Sequence, residues 1–318
     1  MAWLIVAVCS YILLAVTSLI DKILLSGPLS NPKLYAFYVG ILSSFAFLVP
    51  LSALFAPGIL ISLGGDPYQV WSVPGWNLLL IGMASGAAQI YGSFFYLAAL
   101  QRLEASRAVP IIGCLVPVFG FFLTAAVSGG TAVLGTRELA GFILLIAGGW
   151  LIMARGVSIK DGGLHYVLQA SFLFALAVIL SKLVYLEAPF VNGFPLMALG
   201  SVFAALTFLF SGTVRKTVFG HHSIDKNSRP NLLFFCGQIM GAAAFLLQSF
   251  SVSLAPQASV PVINAMAGVQ YIFLFLFSML ASFFFPGKIK EATDTNSIIQ
   301  KALAISLIMA GLAIFALN

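Results

Sequence analysis

Long apolar stretches alternate with short polar connections along the whole chain. A helix needs about 20 apolar residues to cross the hydrocarbon core of a bilayer, and ten stretches reach or approach that length. We therefore predict ten transmembrane helices, called spans 1 to 10. Their approximate limits are residues 2–26, 34–55, 76–98, 107–126, 138–154, 165–187, 195–213, 231–254, 261–285 and 298–317.

The composition agrees with a polytopic membrane protein. Of the 318 residues, 61% are hydrophobic and only 8% are charged, and the mean hydropathy is +1.08. A soluble domain is nearer to about 25% charged. Because lipid offers the backbone no hydrogen-bond partner and no alternating barrel pattern appears, the spans should be α-helices. We expect an all-α polytopic membrane protein.

Corresponding spans in the two halves of the chain carry similar residues in the same order. The matches are Asp21-Lys22 with Ser181-Lys182, Gly40 with Gly200, Gly86–Ala88 with Gly241–Ala243, Val109–Ile112 with Val260–Ile263, and Ala147-Gly148 with Ala310-Gly311. The offset between matched residues varies from 151 to 163, as loop insertions would cause. We predict that residues 1–154 and 155–318 are two five-helix repeats. Because five is odd, the second repeat is inverted in the membrane.

Positive charge gives the expected orientation. Thirteen of the 15 Lys and Arg residues lie at the connections after spans 1, 3, 5, 7 and 9. Cytoplasmic loops of membrane proteins are enriched in these residues. The distribution predicts that those connections are cytoplasmic and that both termini lie outside.

Polar and small residues recur at helical spacing on one face of spans 3, 4, 8 and 9. Polar groups are costly in lipid and usually face a partner helix or a cavity. Close helix packing through small residues and cross-linking amides is the alternative interpretation at each position. We predict a central cavity between these spans, with substrate contacts from Gln89, Ser93, Tyr96, Gln248, Asn264 and Tyr271.

Prolines and a few charged residues also fall in the spans. Pro110, Pro117 and Pro261 are predicted to bend or gate helices, because proline removes a backbone hydrogen bond. Lys22 and Lys182 occupy equivalent places near the ends of spans 1 and 6, where snorkelling to the headgroups is the simpler interpretation. A role in coupling transport to an ion is the alternative for both lysines and for Asp21, the only carboxylate predicted to lie further inside a span than its terminal residue.

The chain has no motif of a known catalytic class. The phosphate-binding loop, the zinc-protease motif and the nucleophile elbow are all missing from the sequence, and the three cysteines lack metal-ligand spacing. We expect a protein that is not an enzyme, with no cofactor and no metal. Its expected partners are a small-molecule substrate and the lipid bilayer, with no nucleic acid, and a homodimer is left open. The alternatives to a carrier of such a substrate are a non-transporting sensor or scaffold and a membrane enzyme acting on lipid-linked substrates.

Two segments resemble one family of transporters. The run Ala99–Phe119 looks like the passage from the third to the fourth helix of the EamA-like transporters in the drug/metabolite transporter (DMT) superfamily, and Gly141–Ile152 looks like their fifth helix. The resemblance implies ten helices in two inverted repeats around a central cavity in the cell (inner) membrane. It implies a secondary transporter, typically an exporter of amino acids or other small amphipathic metabolites, that works by alternating access.

The chain departs from that family in two respects. The Gly-Glu-Arg sequence that commonly follows the fourth helix is replaced here by the segment 127–138. Many relatives also have both termini in the cytoplasm, whereas the charge distribution of this chain predicts both outside.

Overall fold

The computed structural model describes residues 2–25, 31–55, 58, 61, 74–103, 105–131, 134–153, 163–219, 232–270, 272–273, 277 and 295–316. Within these ranges the regular secondary structure is entirely helical. Five helical stretches are long and apolar enough to cross a membrane: Pro32–Ser52, Trp76–Arg102, Leu164–Glu187, Phe190–Phe210 and Phe234–Leu254. The prediction of an all-helical membrane protein is confirmed to this extent.

We number the helices in chain order. They are α1 (Ala2–Leu25), α2 (Pro32–Leu42), α3 (Leu48–Phe55), α4 (Trp76–Arg102), α5 (Ala105–Val127), α6 (Thr136–Met153), α7 (Leu164–Glu187), α8 (Phe190–Thr207), α9 (Gly212–Phe219), α10 (Leu232–Leu254), α11 (Val260–Ala265) and α12 (Thr295–Ala316). Short 3-10 turns join α2 to α3 at Ser43–Phe47, extend α8 at Phe208–Phe210 and precede α11 at Gln257–Ser259.

Local sequence signals set several helix boundaries. Helix α2 begins after Asn31, whose side-chain oxygen accepts a hydrogen bond of 3.0 Å from the backbone N–H of Lys33. Pro32 follows at the first helical position, where its missing N–H costs no hydrogen bond. Helix α8 begins at Phe190, earlier than the predicted limit at residue 195, and holds Pro195 inside it.

Helices from the two halves of the chain interleave in one bundle. Helix α1 packs against α10, α4 against α7 and α8, α5 against α7 and α11, α2 against α8, and α6 against α12. Each pair joins a helix from the first half of the sequence to one from the second. The two halves therefore share one interior rather than forming separate domains.

One end of this bundle carries most of the described basic residues. A buried cluster there joins residues from the starts of α2 and α10 with residues from the later parts of α4 and α8. The Arg102 guanidinium at the end of α4 lies 4.6 Å from the ring centroid of Tyr166, at the start of α7. Lys33 and Arg215 lie on the helices of this end. We call it the basic end and the other one the opposite end.

Candidate functional site

Two adjoining cavities lie inside the helix bundle, with volumes of about 220 Å³ and about 380 Å³. We call the first the inner cavity and the second the lateral cavity. Their shared walls are formed by Leu14, Thr17, Gln89, Tyr96 and Gln248. Gln89 is the central residue of the 27-residue helix α4. At 1.5 Å per residue it lies ~20 Å from either helix end, which places the shared wall at mid-depth in the bundle.

The structure brings five of the six predicted contact residues to this site. Gln89, Tyr96 and Gln248 line both cavities, Asn264 lines the inner cavity, and Ser93 lines the lateral cavity. The sixth, Tyr271, lies outside the described residues. Wall residues come from α4, α5, α10 and α11, the helices that correspond to spans 3, 4, 8 and 9.

Helix α1 contributes a side of the inner cavity that sequence reasoning missed. Tyr11, Leu14, Thr17 and Ser18 all line it. Tyr11, Leu14 and Ser18 are spaced at i, i+3 and i+7, which places them on one face of a helix. That spacing is the signal that could have identified α1 as a further wall of the inner cavity.

A chain of hydrogen bonds ties α1, α10 and α11 together beside the cavity. The Tyr11 hydroxyl donates to the backbone carbonyl of Ile263 over 2.7 Å. The Gln248 amide nitrogen donates to the Tyr11 oxygen over 3.2 Å. Tyr11 is 3% exposed, so its hydroxyl needs such partners. Gln248 thus helps to position Tyr11 as well as lining the cavity.

Two further glutamines, also missed by sequence reasoning, hold polar groups of the walls. The Gln270 amide nitrogen donates to the Ser18 hydroxyl over 2.8 Å. The Gln238 amide nitrogen donates to the Tyr35 hydroxyl over 3.1 Å at the edge of the lateral cavity. These bonds cross from the second half of the chain to the first, so the polar wall groups also connect the two halves.

Asn264 differs from these amides. It is 3% exposed, and its side-chain nitrogen has no hydrogen-bond partner among the described residues. Gly120 of α5 lies against it, since a Cβ atom at Gly120 would be 3.1 Å from the amide nitrogen. Gly120 and Asn264 belong to spans 4 and 9, so these two spans meet here. Gly113 lines the inner cavity, whereas Gly268 faces Ile308 of α12.

Lys182 lies in α7, and it lines neither cavity. Its ammonium group donates to the backbone carbonyls of Val252 over 3.2 Å, Ser253 over 3.3 Å and Ala255 over 2.5 Å. The residue is 4% exposed, so the snorkelling interpretation is wrong. A cation at these carbonyls satisfies the unpaired oxygens at the end of α10 and opposes the negative end of its dipole.

The remaining charged candidates stay predictions. Asp21 and Lys22 belong to α1, but their side chains lie outside the described part of the chain. A coupling role for these two residues, and for Lys182 beyond its contacts with α10, is not tested by these contacts. Among the described residues that line the two cavities, the polar side chains are amides and hydroxyls.

The three predicted bending prolines occupy different positions. Pro117 is buried in the interior of α5. Pro110 also lies within α5, although its side chain is outside the described part of the structure. Pro261 is the second residue of α11, where the N–H has no helical partner in any case. The position of Pro261 therefore gives no reason to expect a helix bend there. Bending at Pro110 and Pro117 stays a prediction.

Helices α4 and α8 close one side of the site by direct backbone approach. A Cβ atom at Gly86 would overlap the Met197 carbonyl oxygen, and one at Gly200 would overlap the Met83 carbonyl oxygen. Towards the basic end, the Tyr91 and Thr207 hydroxyls are hydrogen-bonded at 2.8 Å. None of the residues that line the two cavities lies between α4 and α8 at these contacts. The cavities therefore do not open through this interface, which we call sealed.

Helices α2 and α10 behave differently. At the basic end they meet through Tyr35, which contacts the Phe234 ring with 5.6 Å between centroids and the Gln238 amide. Further along, the lateral cavity lies between them and is lined by Leu42 of α2 and Phe245 of α10. The site is therefore closed at the α4–α8 interface and open between α2 and α10.

Comparison with known proteins identifies the fold alone. No protein-family model matches the chain, and no curated protein matches it. A solved structure described only as the "Crystal structure of protein" is similar, with a TM-score of 0.64 and 16% sequence identity. The match covers 98% of this chain and 96% of that chain. The chain thus shares its fold, over almost its whole length, with a protein of known structure.

Proposed function

We propose that the protein is a secondary transporter of small polar or amphipathic metabolites that works by alternating access. The observation that carries the proposal is a mid-depth cavity with amide and hydroxyl groups, walled by helices from both halves of the chain. Polar groups inside a membrane bundle are costly in lipid and usually face a partner helix or a cavity. The cavity is where transporters built from repeats bind their substrates, between the repeats.

The proposal includes ten spans in two inverted repeats, as in the EamA-like transporters. Reciprocal packing of α6 and α12 supports it. A Cβ atom at Gly148 would be 2.6 Å from the Ile308 side chain, and one at Gly311 would be 2.9 Å from Leu145. Adding the offset of 163 residues to Gly148 and Leu145 gives Gly311 and Ile308. Each half thus makes the same contact with the other, as expected for a two-fold axis between repeats.

Alternating access is supported by two interfaces that are equivalent in sequence but differ in the structure. Gly86 and Gly200, which seal the α4–α8 interface, correspond to Gly241 and Gly40 on α10 and α2. Gly241, by contrast, lines the lateral cavity, and α2 makes no close contact with it. In the proposed cycle the α2–α10 gap closes while the α4–α8 contact opens, so the two repeats exchange conformations around the site.

Efflux from proteoliposomes tests the transport function. Vesicles loaded with a mixture of amino acids and other small amphipathic metabolites are expected to release at least one compound faster with the protein than without it. Gln89→Ala, Gln248→Ala and Asn264→Ala are expected to slow that release, because all three residues line the cavity. Thr124→Val is the matched control, since Thr124 is a buried residue of α5 that lines neither cavity.

Two results would count against the proposal. Unchanged release by all three cavity variants would remove the cavity from the transport path. Ligand binding without any release would favour the alternative of a membrane sensor, because a sensor needs the cavity but not the second conformation.

A further inference from the structure

The free donor of Asn264 indicates which chemical group the cavity recognises. Its amide nitrogen is buried and has no partner among the described residues. A buried donor without an acceptor costs free energy in the folded protein, and such groups call for a bound water, ion or ligand. Asn264 lines the inner cavity, and a small rotation of its side chain would turn the amide nitrogen, which is shielded in this conformation, towards an acceptor on a ligand there.

Several of the polar groups that line the inner cavity with Asn264 are already engaged within the protein. Gln248 donates to Tyr11, and Tyr11 donates to the backbone at Ile263. Gln270 donates to Ser18, and the Thr17 hydroxyl donates to the Leu13 carbonyl at 3.0 Å. Recruiting any of these donors for a ligand breaks an existing hydrogen bond, whereas recruiting the Asn264 amide nitrogen breaks none among the described residues.

The position of Asn264 is also fixed before a ligand arrives. The carbonyl of the preceding residue, Ile263, is held by the Tyr11 hydroxyl. The glycine at position 120 leaves just enough room for the amide, because a Cβ atom there would be 3.1 Å from its nitrogen. The backbone that carries the donor is thus ordered before binding, which lowers the ordering cost of the contact.

Building on the proposed transport function, we propose that the inner cavity selects uncharged molecules by a hydrogen bond from the Asn264 amide to a neutral carbonyl oxygen. The apolar wall residues Ile112, Val116, Phe174 and Val178 contact the apolar remainder of the molecule. The described lining offers amide, hydroxyl, aromatic and aliphatic groups to that molecule. A carboxylate or ammonium group would lose its hydration there without gaining a described counter-charge.

Four probes that share one aromatic ring and differ in charge test this selection. They are phenylacetamide (neutral), phenylacetate (anionic), phenethylamine (cationic) and L-phenylalanine (zwitterionic) at neutral pH. Binding to the full-length protein in detergent is measured from the rise in Tm, since a ligand of the native state stabilises it. We expect phenylacetamide to raise the Tm most at equal concentration.

Two variants then test whether Asn264 provides the contact. Asn264→Leu keeps the size of the side chain and removes the donor, so phenylacetamide affinity should fall about fivefold while the ligand-free Tm stays equal or rises. Gly120→Ala keeps the donor but crowds it, and it should also weaken binding. Thr124→Val is the control, because the Thr124 hydroxyl is likewise buried without a partner among the described residues but Thr124 lines neither cavity. It should leave phenylacetamide binding unchanged.

Three outcomes would overturn the inference: stronger stabilisation by any charged probe, wild-type phenylacetamide affinity in Asn264→Leu, or no binding of phenylacetamide at all. Transport is judged separately, by release of phenylacetamide from proteoliposomes after subtraction of the rate in protein-free vesicles. Binding without protein-dependent release refutes the transport function and leaves the selectivity of the cavity intact. Release of a charged probe alone supports transport and refutes the selectivity.

Discussion

The ammonium nitrogen of Lys182 lies 2.5 Å from the carbonyl oxygen of Ala255, which is 73 residues away in the sequence. The same ammonium reaches the carbonyls of Val252 and Ser253, so one lysine of α7 caps the end of α10. Gln248, which lines both cavities and holds Tyr11, lies one turn before these carbonyls. The cap therefore fixes the helix end that carries a wall of the site.

Loss of this cap should destabilise the protein. Lys182→Met keeps the length of the side chain but removes all three hydrogen bonds, and hydrogen bonds to a charged group contribute about 2 kcal/mol. We expect a clear fall in Tm in detergent. Lys33→Met is the control, since the Lys33 side chain is exposed, and it should change the Tm little. Equal Tm values for the two variants would contradict the capping role.

The close approach of α4 and α8 predicts that Gly86 tolerates no side chain. Gly86→Ala places a methyl group on the Met197 carbonyl, and we expect it to lower the free energy of unfolding by roughly 1–3 kcal/mol. Gly212→Ala serves as the control, because a Cβ atom at Gly212 meets nothing within 4 Å. Thermal unfolding of both variants is the measurement, and a Gly86→Ala protein as stable as the control would show that the helices are not in contact.

The reciprocal packing of α6 and α12 predicts matched effects at two positions 163 residues apart. Gly148→Ala and Gly311→Ala each place a methyl group within 3 Å of the partner helix. We expect both to lower the Tm, and by similar amounts, because the two contacts correspond under the proposed repeat. A large effect at one position with none at the other would argue against the repeat axis at this interface.

The proposed conformational exchange predicts which cysteine pairs can be cross-linked. In a background without Cys9, Cys114 and Cys236, the pair Tyr91→Cys and Thr207→Cys should be joined by a short bifunctional methanethiosulfonate reagent in the present conformation, because the native hydroxyls meet across the length of a tyrosine side chain. The sequence-equivalent pair, Phe47→Cys and Leu246→Cys, should be joined by the same reagent only in the opposite conformation.

Each of these cross-links is expected to arrest transport, because each locks one of the two conformations. Reduction of the disulfides that hold the reagent to the two cysteines should restore transport and serves as the internal control. If both pairs cross-linked fully in the same molecules, the two interfaces would close together, and exchange between them would be excluded.

The charge distribution predicts the orientation of the protein. Thr131 lies in the connection between α5 and α6, and Thr213 lies in α9, beside the basic residue Arg215. Thr131→Cys should react with a membrane-impermeant thiol reagent added outside the cell, whereas Thr213→Cys should react only after permeabilisation. The reverse pattern would place the termini in the cytoplasm.

Much of the site could be predicted from the sequence because polar residues in apolar helices are rare. Gln89 and Gln248 are amides inside apolar helices, and their helical spacing identified the faces that line the cavity. The side formed by α1 was missed because Tyr11 and Ser18 resemble ordinary helix-packing residues. Their role depends on Gln248 and Gln270, more than 230 residues away.

The sequence by itself determined that the chain is an all-helical membrane protein. The length of the apolar runs decides this, because a backbone in lipid must satisfy its hydrogen bonds within each helix. Only the tertiary structure decided which polar groups remain free. Gln248 and Asn264 are both amides in apolar segments, yet one donates to Tyr11 and the other has no described partner. Likewise, Lys182 caps a helix because the end of α10 packs beside α7, a contact that no local pattern contains.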